Sequence, residues 1–198
     1  MSAAELFPYV ATHLELTAVA LAVALALALP LGILTANAGA WRGVVLGVAG
    51  VGRTIPSLAV LTFVVPFLGV GFTPAIVALT LLAIPPILIN TDLGLRGVDP
   101  AALDAARGMG MSQPQVFARV AWPLALPTIL AGIRTAAIEV VASATLATFI
   151  GAGGLGDVIT EGLQGGRGDL LLVGAAAAAI LALAIEATLA LTERKLSR

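Results

Sequence analysis

The side chains able to do chemistry in this chain are few, and most stand alone in apolar surroundings. Glu139 lies partway along an apolar run at about 127–150, where a bare carboxylate costs several kcal/mol in lipid and marks either a wet path or a paired structural site. Ser143, Thr145 and Thr148 follow on the same run; their hydroxyls can face a path or satisfy helix backbone. The largest cluster of polar side chains falls at 90–119, with Asp92, Arg96, Asp99, Asp104, Arg107, Gln113, Gln115 and Arg119. The run Gly151-Ala152-Gly153-Gly154-Leu155-Gly156 imitates a nucleotide fingerprint, but it follows an apolar run and lacks the strand that such a loop needs, so it reads as a tight turn.

What is missing excludes whole classes. There is no cysteine, and His13 and Lys195 are the sole histidine and lysine. Thiolate or multi-histidine metal sites and cysteine nucleophiles are therefore excluded, and no lysine sits in a glycine run to make a Walker A loop. No metal or cofactor is expected on this chain, and ATP, if used, binds elsewhere. The 10 basic residues are scattered singly against a net charge of −1, which makes no basic patch for nucleic acid.

The elements that must hold these residues are set by composition. Of 198 residues, 60% are apolar and 11% charged, with mean hydropathy +1.08. A globule of this size would lack polar residues to cover it, so the solvent is lipid. At roughly 20 residues per span the chain accommodates five membrane helices in one domain, 1–198. The expected spans are about 14–36, 56–70, 72–89, 127–150 and 170–191, with a loop at about 90–122. The first is a span and not a leader, because Glu5 and Glu15 stand where a signal peptide carries basic residues. Trp41 to Arg53 reads as an interfacial segment, and Pro85-Pro86 is expected to kink or unwind the end of the third run.

Within the polar loop, Asp99 before Pro100 is an N-cap signal, repeated by Ser112 with Pro114. Two short helices are expected, about 100–107 and 113–121, hinged at Gly108 and Gly110. Asn90 and Asp92 are expected to cap the third span, His13 to sit at an interface, and Glu186 to be structural. Gly39, Gly43 and Gly47 recur at four-residue spacing and could allow close helix contact. With the tail and the polar loop inside, Arg167 alone of the 10 basic residues falls outside. That asymmetry puts the N-terminus outside, the C-terminus in the cytoplasm, and Trp41 and Trp122 at the inner interface.

By composition the loop is either a solvated connector or a docking site. Its residues carry more. Asp104-Ala105-Ala106, Gly110 and then Val120-Ala121-Trp122-Pro123 resemble the EAA signature of ABC importer permeases, with Asp104 for the usual glutamate and Trp122 for the usual leucine at kept spacing. Arg53-Thr54-Ile55-Pro56-Ser57, residues 108–136 and Thr145-Leu146-Ala147 running into residues 149–159 are similar to the osmoprotectant subfamily, which serves glycine betaine, choline or carnitine importers. Methionine-importer permeases share the five-span plan and parts of these motifs.

The resemblance implies an all-α integral membrane fold of the type I ABC importer permease (MetI-like) plan, in the inner or plasma membrane. It implies that residues 99–119 form the coupling helix that fits a cytoplasmic ATPase, with Leu103, Met109 and Met111 as apolar contacts, Ala105 and Ala106 permitting close approach and Gly110 the turn. It implies a second permease subunit, an ATPase dimer holding ATP and magnesium, an external binding protein, and no catalysis on this chain. Glu139, Ser143 and Thr145 are candidates for the translocation path. The alternative for Glu139 is a structural carboxylate paired with Arg134 or a hydroxyl, or protonated at the dimer seam. An aromatic cage for a quaternary ammonium could come only from scattered phenylalanines such as Phe63, Phe67 and Phe149, so substrate choice is expected to reside in the binding protein.

Overall fold

The computed structural model describes residues 1–196, with side chains from 1 to 192 except Ala3. Arg194, Lys195 and Arg198, counted in the charge asymmetry above, lie outside the described side chains. The described chain is helical throughout. Helix α1 spans Ala3–Ala36, α2 Trp41–Gly52, α3 Ser57–Leu68, α4 Phe72–Arg96, α5 Pro100–Gly108 and α6 Gln113–Val116. A π turn at Phe117–Ala121 leads into α7, Trp122–Ala144, which tightens to a 3-10 turn at Thr145–Ile150. Helices α8, Leu155–Gln164, and α9, Gly168–Leu196, complete the chain.

Four stretches are long and apolar enough to cross a membrane: Ala4–Ala36, Phe72–Arg96, Gln113–Ile150 and Gly168–Thr192. A fifth crossing is made if α2 and α3 count as one span, broken by a 98° bend. This is a multi-pass membrane protein. The bend falls where the sequence divides an interfacial segment, Trp41 to Arg53, from a span that begins at about Pro56. Pro56 removes a backbone donor where α2 would have continued, and α3 restarts directly after it.

Helix α4 is the axis of the packing, with α1 on one side and α7 on the other. It stays helical through Pro85 and Pro86 up to Arg96 and does not unwind there. The fixed φ of proline suits a helix, and the flanking helices hold the weakened turn in place. In lipid, helices associate by close van der Waals packing, so small residues line the contacts. On α1, Leu16, Ala20, Ala24 and Ala28 are fully buried at four-residue spacing, one stripe along a helix. At the end of that stripe a Cβ on Gly32 would stand 2.6 Å from Thr91 Cβ. Between α4 and α7, Gly94 faces the Ala125 carbonyl and Gly132 lies on Pro86 and Asn90. As numbers rise along α7 they fall along α4, so the two helices are antiparallel.

Several sequence expectations are corrected by this packing. Asn90 and Asp92 do not cap a helix end, because α4 continues past both. Asn90 Nδ2 donates to the Pro86 carbonyl at 2.8 Å, and buried Asp92 is held by Arg42 at the start of α2. His13 is not interfacial: it is fully buried, and its Nε2 donates to the Val141 carbonyl at 3.0 Å. Gly43 and Gly47 face open space and make no close helix contact in the protomer. The second loop helix is one turn of α-helix followed by the π turn, and runs into α7 without a gap. Part of the polar stretch after residue 156 is helix α8, seated against α9 where Gly162 meets the Leu171 backbone.

Candidate coupling surface and translocation face

Helix α5 is started and stopped by its own sequence. The Asp99 carboxylate accepts from the Ala101 amide at 2.9 Å and Pro100 takes the first helical position, where its missing donor costs nothing. At the far end Gly110 adopts φ +81°. Its amide donates to the Arg107 carbonyl at 2.9 Å, and the Met111 amide donates to the Ala106 carbonyl at 3.2 Å. This pair of bonds is a Schellman motif, which wants glycine at the left-handed position. Ser112 and Gln115 then form a capping box that starts α6.

The residues expected to couple divide between two faces of this helix. Ala106 is 1% exposed, and Leu103 packs with Val98, Ala125 and Ile129, so Leu103 holds α5 to the base of α7. Asp104, Ala105, Met109 and Gly110 are exposed, with Met109 the most prominent apolar side chain, and Met111 is half-buried. Arg107 Nη1 donates to Asp104 Oδ1 at 2.8 Å between two exposed side chains, a pair worth little in stability. Behind α5 a cleft of about 170 Å³ is lined by Ala36, Asn37, Arg96, Leu103, Phe117 and others. Trp122 lies with its ring centroid 6.0 Å from that of Phe117 and packs on the Leu103 cluster.

Glu139 is half-buried on α7. Ser143, one turn on, shares its face but is buried at 6% exposure. Thr145 begins the 3-10 turn and its hydroxyl donates to the Ala142 carbonyl at 2.7 Å, which satisfies helix backbone. Glu139 and Ser143 thus share one face of α7, and Thr145 follows at the start of the 3-10 turn. Arg53, at the α2–α3 break, is the positively charged side chain whose field acts on Glu139. Sequence reasoning gave Arg53 no role at this site; its signal was an arginine three residues before Pro56 inside an apolar region. Phe63 and Phe67 are exposed on α3 with centroids 5.5 Å apart, and Phe149 is exposed on the 3-10 turn, so they enclose no cage within the protomer.

The glycine run does form a tight turn, with positive φ at Gly151, Gly153 and Gly154. His13 lies beneath it, its Nδ1 buried without a hydrogen-bond partner among the described residues. Thr148 donates to Asp157 across the same turn. Among the described residues no group of acids and histidines is arranged to hold a metal.

Among known proteins, the family described as the binding-protein-dependent transport system inner membrane component matches residues 28–198. The chain belongs to this family. This inner membrane component is 47% identical over 185 residues to the carnitine transport permease protein OpuCB of Listeria monocytogenes, covering 93% of this chain and 85% of that one. It is 41% identical to the choline transport system permease protein OpuBB of Bacillus subtilis, with the same coverage. It is 39% identical to the osmoprotectant import permease protein OsmY of Salmonella typhimurium, over 93% of this chain and 79% of that one. Its fold matches a chain of the MetNI methionine ABC transporter in an inward-facing conformation, with TM-score 0.86, 26% identity and full coverage of both chains. An amino acid ABC transporter chain shares the fold at TM-score 0.80 and 20% identity, over 96% of this chain and 93% of that one. The ABC importer permease fold expected from the loop motif is the fold observed.

Proposed function

We propose that this chain is the permease subunit of an ATP-driven importer for small compatible solutes of the glycine betaine, choline and carnitine class. The observation that carries the substrate class is the 47% identity, along 93% of the chain, to a carnitine permease. It pairs with a second permease subunit, identical or related, around a path at their interface, and Glu139 with Ser143 lines that path. Its N-terminus is outside and residues 99–119 face the cytoplasm, as the positions of its arginines favour. Two ATPase subunits, which hold ATP and magnesium, dock on the exposed tip of α5 at Asp104, Ala105, Met109 and Gly110. Leu103 transmits the movement to α7, because it packs on Ala125 and Ile129 at its base. ATP-driven closure opens the path outward to an external binding protein, which selects the solute, and hydrolysis resets it inward.

The test is co-purification with the products of neighbouring genes, followed by uptake of betaine, choline, carnitine and methionine into proteoliposomes with and without ATP. ATP-dependent uptake of a quaternary amine is expected. Methionine uptake alone would overturn the substrate class and keep the permease. Passive flux through the isolated chain, with no ATPase partner, would overturn the permease and point to a channel.

A further inference from the structure

The break between α2 and α3 lies beside the middle of α4. A Cβ on Gly52, the last residue of α2, would stand 3.6 Å from Pro85 Cγ, and Pro85 is at the middle of the 25-residue α4. Glu139 can be placed on the same ruler. Gly94 of α4 lies level with Ala125 and Thr128 of α7, and Pro86 with Asn90 lies level with Gly132. Two further helical turns along α7 bring Glu139 level with about Leu81 to Ile84 of α4, within about 6 Å in depth of the break. Arg53 and Glu139 thus carry opposite charges at one level, and the field of Arg53 acts on Glu139.

Among the described residues neither charge is bonded into the protomer's own packing. Arg53 and Thr54 are exposed and Glu139 is half-exposed, in a region where an ionisable side chain is retained only beside a cavity or a partner. Helix α3 restarts at the break without a side-chain cap, so its dipole adds positive potential beside Arg53. Broken spans at the midplane are where transporters place ligand-coordinating groups. A solute carrying one charge of each sign fits such a place better than a simple cation.

We propose that Arg53 and Glu139 form a two-ended subsite for a zwitterionic quaternary amine, Arg53 binding the carboxylate and Glu139 the trimethylammonium group. This rests on the permease and substrate-class reading above. Glycine betaine and carnitine have both ends; choline has only the ammonium, so it uses Glu139 alone. The guanidinium fork matches a carboxylate bidentately, and the carboxylate of Glu139 offers charge where Phe63, Phe67 and Phe149 enclose no cage within the protomer.

The test uses the assembled complex, with its ATPase and binding protein, in proteoliposomes loaded with ATP. Uptake of glycine betaine and of choline is measured for Arg53→Gln, Arg53→Lys and Glu139→Gln. Arg53→Gln should lower betaine uptake about tenfold, the loss of one charge-assisted contact, while choline uptake stays within about twofold. Arg53→Lys should keep an intermediate betaine rate, and Glu139→Gln should lower both solutes. If Arg53→Gln does not assemble, Arg53→Lys carries the test, with betaine slowed and choline spared. Equal loss of both solutes in the arginine variants, or loss of neither, overturns the subsite while leaving the permease reading intact. A wild-type complex that carries no quaternary amine overturns that reading and the subsite with it.

Discussion

Arg42 and Asp92 meet fork to fork: Arg42 Nε donates to Asp92 Oδ1 at 2.9 Å and Nη2 to Oδ2 at 2.7 Å. The Asp92 side chain is 2% exposed and the Arg42 side chain 33%. The pair fastens the start of α2 to the last turns of α4, and it is the anchor from which α2 departs toward the break. A carboxylate this deep is tolerated only because it is paired.

Removing one partner should therefore cost more than a surface ion pair would. Asp92→Ala or Arg42→Ala should destabilise by about 3 kcal/mol, the low end for a buried pair because Arg42 is partly solvated. Thermal unfolding in detergent measures this. The double variant should cost less than the two single changes added together.

Gly110→Asp should uncouple transport while leaving membrane insertion intact. Its φ of +81° disfavours a side chain, although a Cβ there meets no atom within 4 Å. The loss thus comes from the turn and from a charge at the docking tip. We expect substrate-stimulated ATPase activity of the reconstituted complex to fall by about tenfold or more, with the strain contributing about 1 kcal/mol. Full stimulation would remove the coupling assignment.

Gly132→Ala should fail for the opposite reason, since it has a helical backbone but no room. The added methyl would run into Asn90 Cβ and the Pro86 carbonyl. Forcing α4 and α7 apart should cost about 1–3 kcal/mol or more, read as lower yield of folded protein and a lower melting temperature. Gly43→Ala, which meets nothing within 4 Å, is the control and should be close to neutral.

His13→Leu should loosen α1 from α7 beneath the glycine turn. It removes the bond to the Val141 carbonyl and leaves that acceptor in apolar surroundings, at a cost of about 1–3 kcal/mol. Hydrogen exchange should rise in residues 151–157 before it rises in α4. Unchanged exchange there would show that His13 does not brace the turn.

How much of this was legible in the sequence depends on the range of the forces involved. Membrane residence, the helical class and the caps of α5 are local: apolar runs, an Asp-Pro start and a glycine stop each act within a few residues. The family of the chain was also readable, because the loop motif keeps its spacing. Three features were not readable, and all concern partners far apart in the chain. Asp92 looked like a cap until α4 was seen to run past it to Arg96, with Arg42 folded against it. His13 looked interfacial because nothing nearby in sequence covers it; its cover comes from Val141 and Gly154. Arg53 and Glu139 are separated in the chain by the four helices α3 to α6, and only the antiparallel packing of α7 on α4 brings them to one depth. Sequence by itself determined which stretches are apolar enough to cross a membrane and where α5 begins and ends, since hydropathy and backbone capping are decided residue by residue. The tertiary structure alone decided which charges face one another, because that depends on the register at which rigid helices lock together through their small residues.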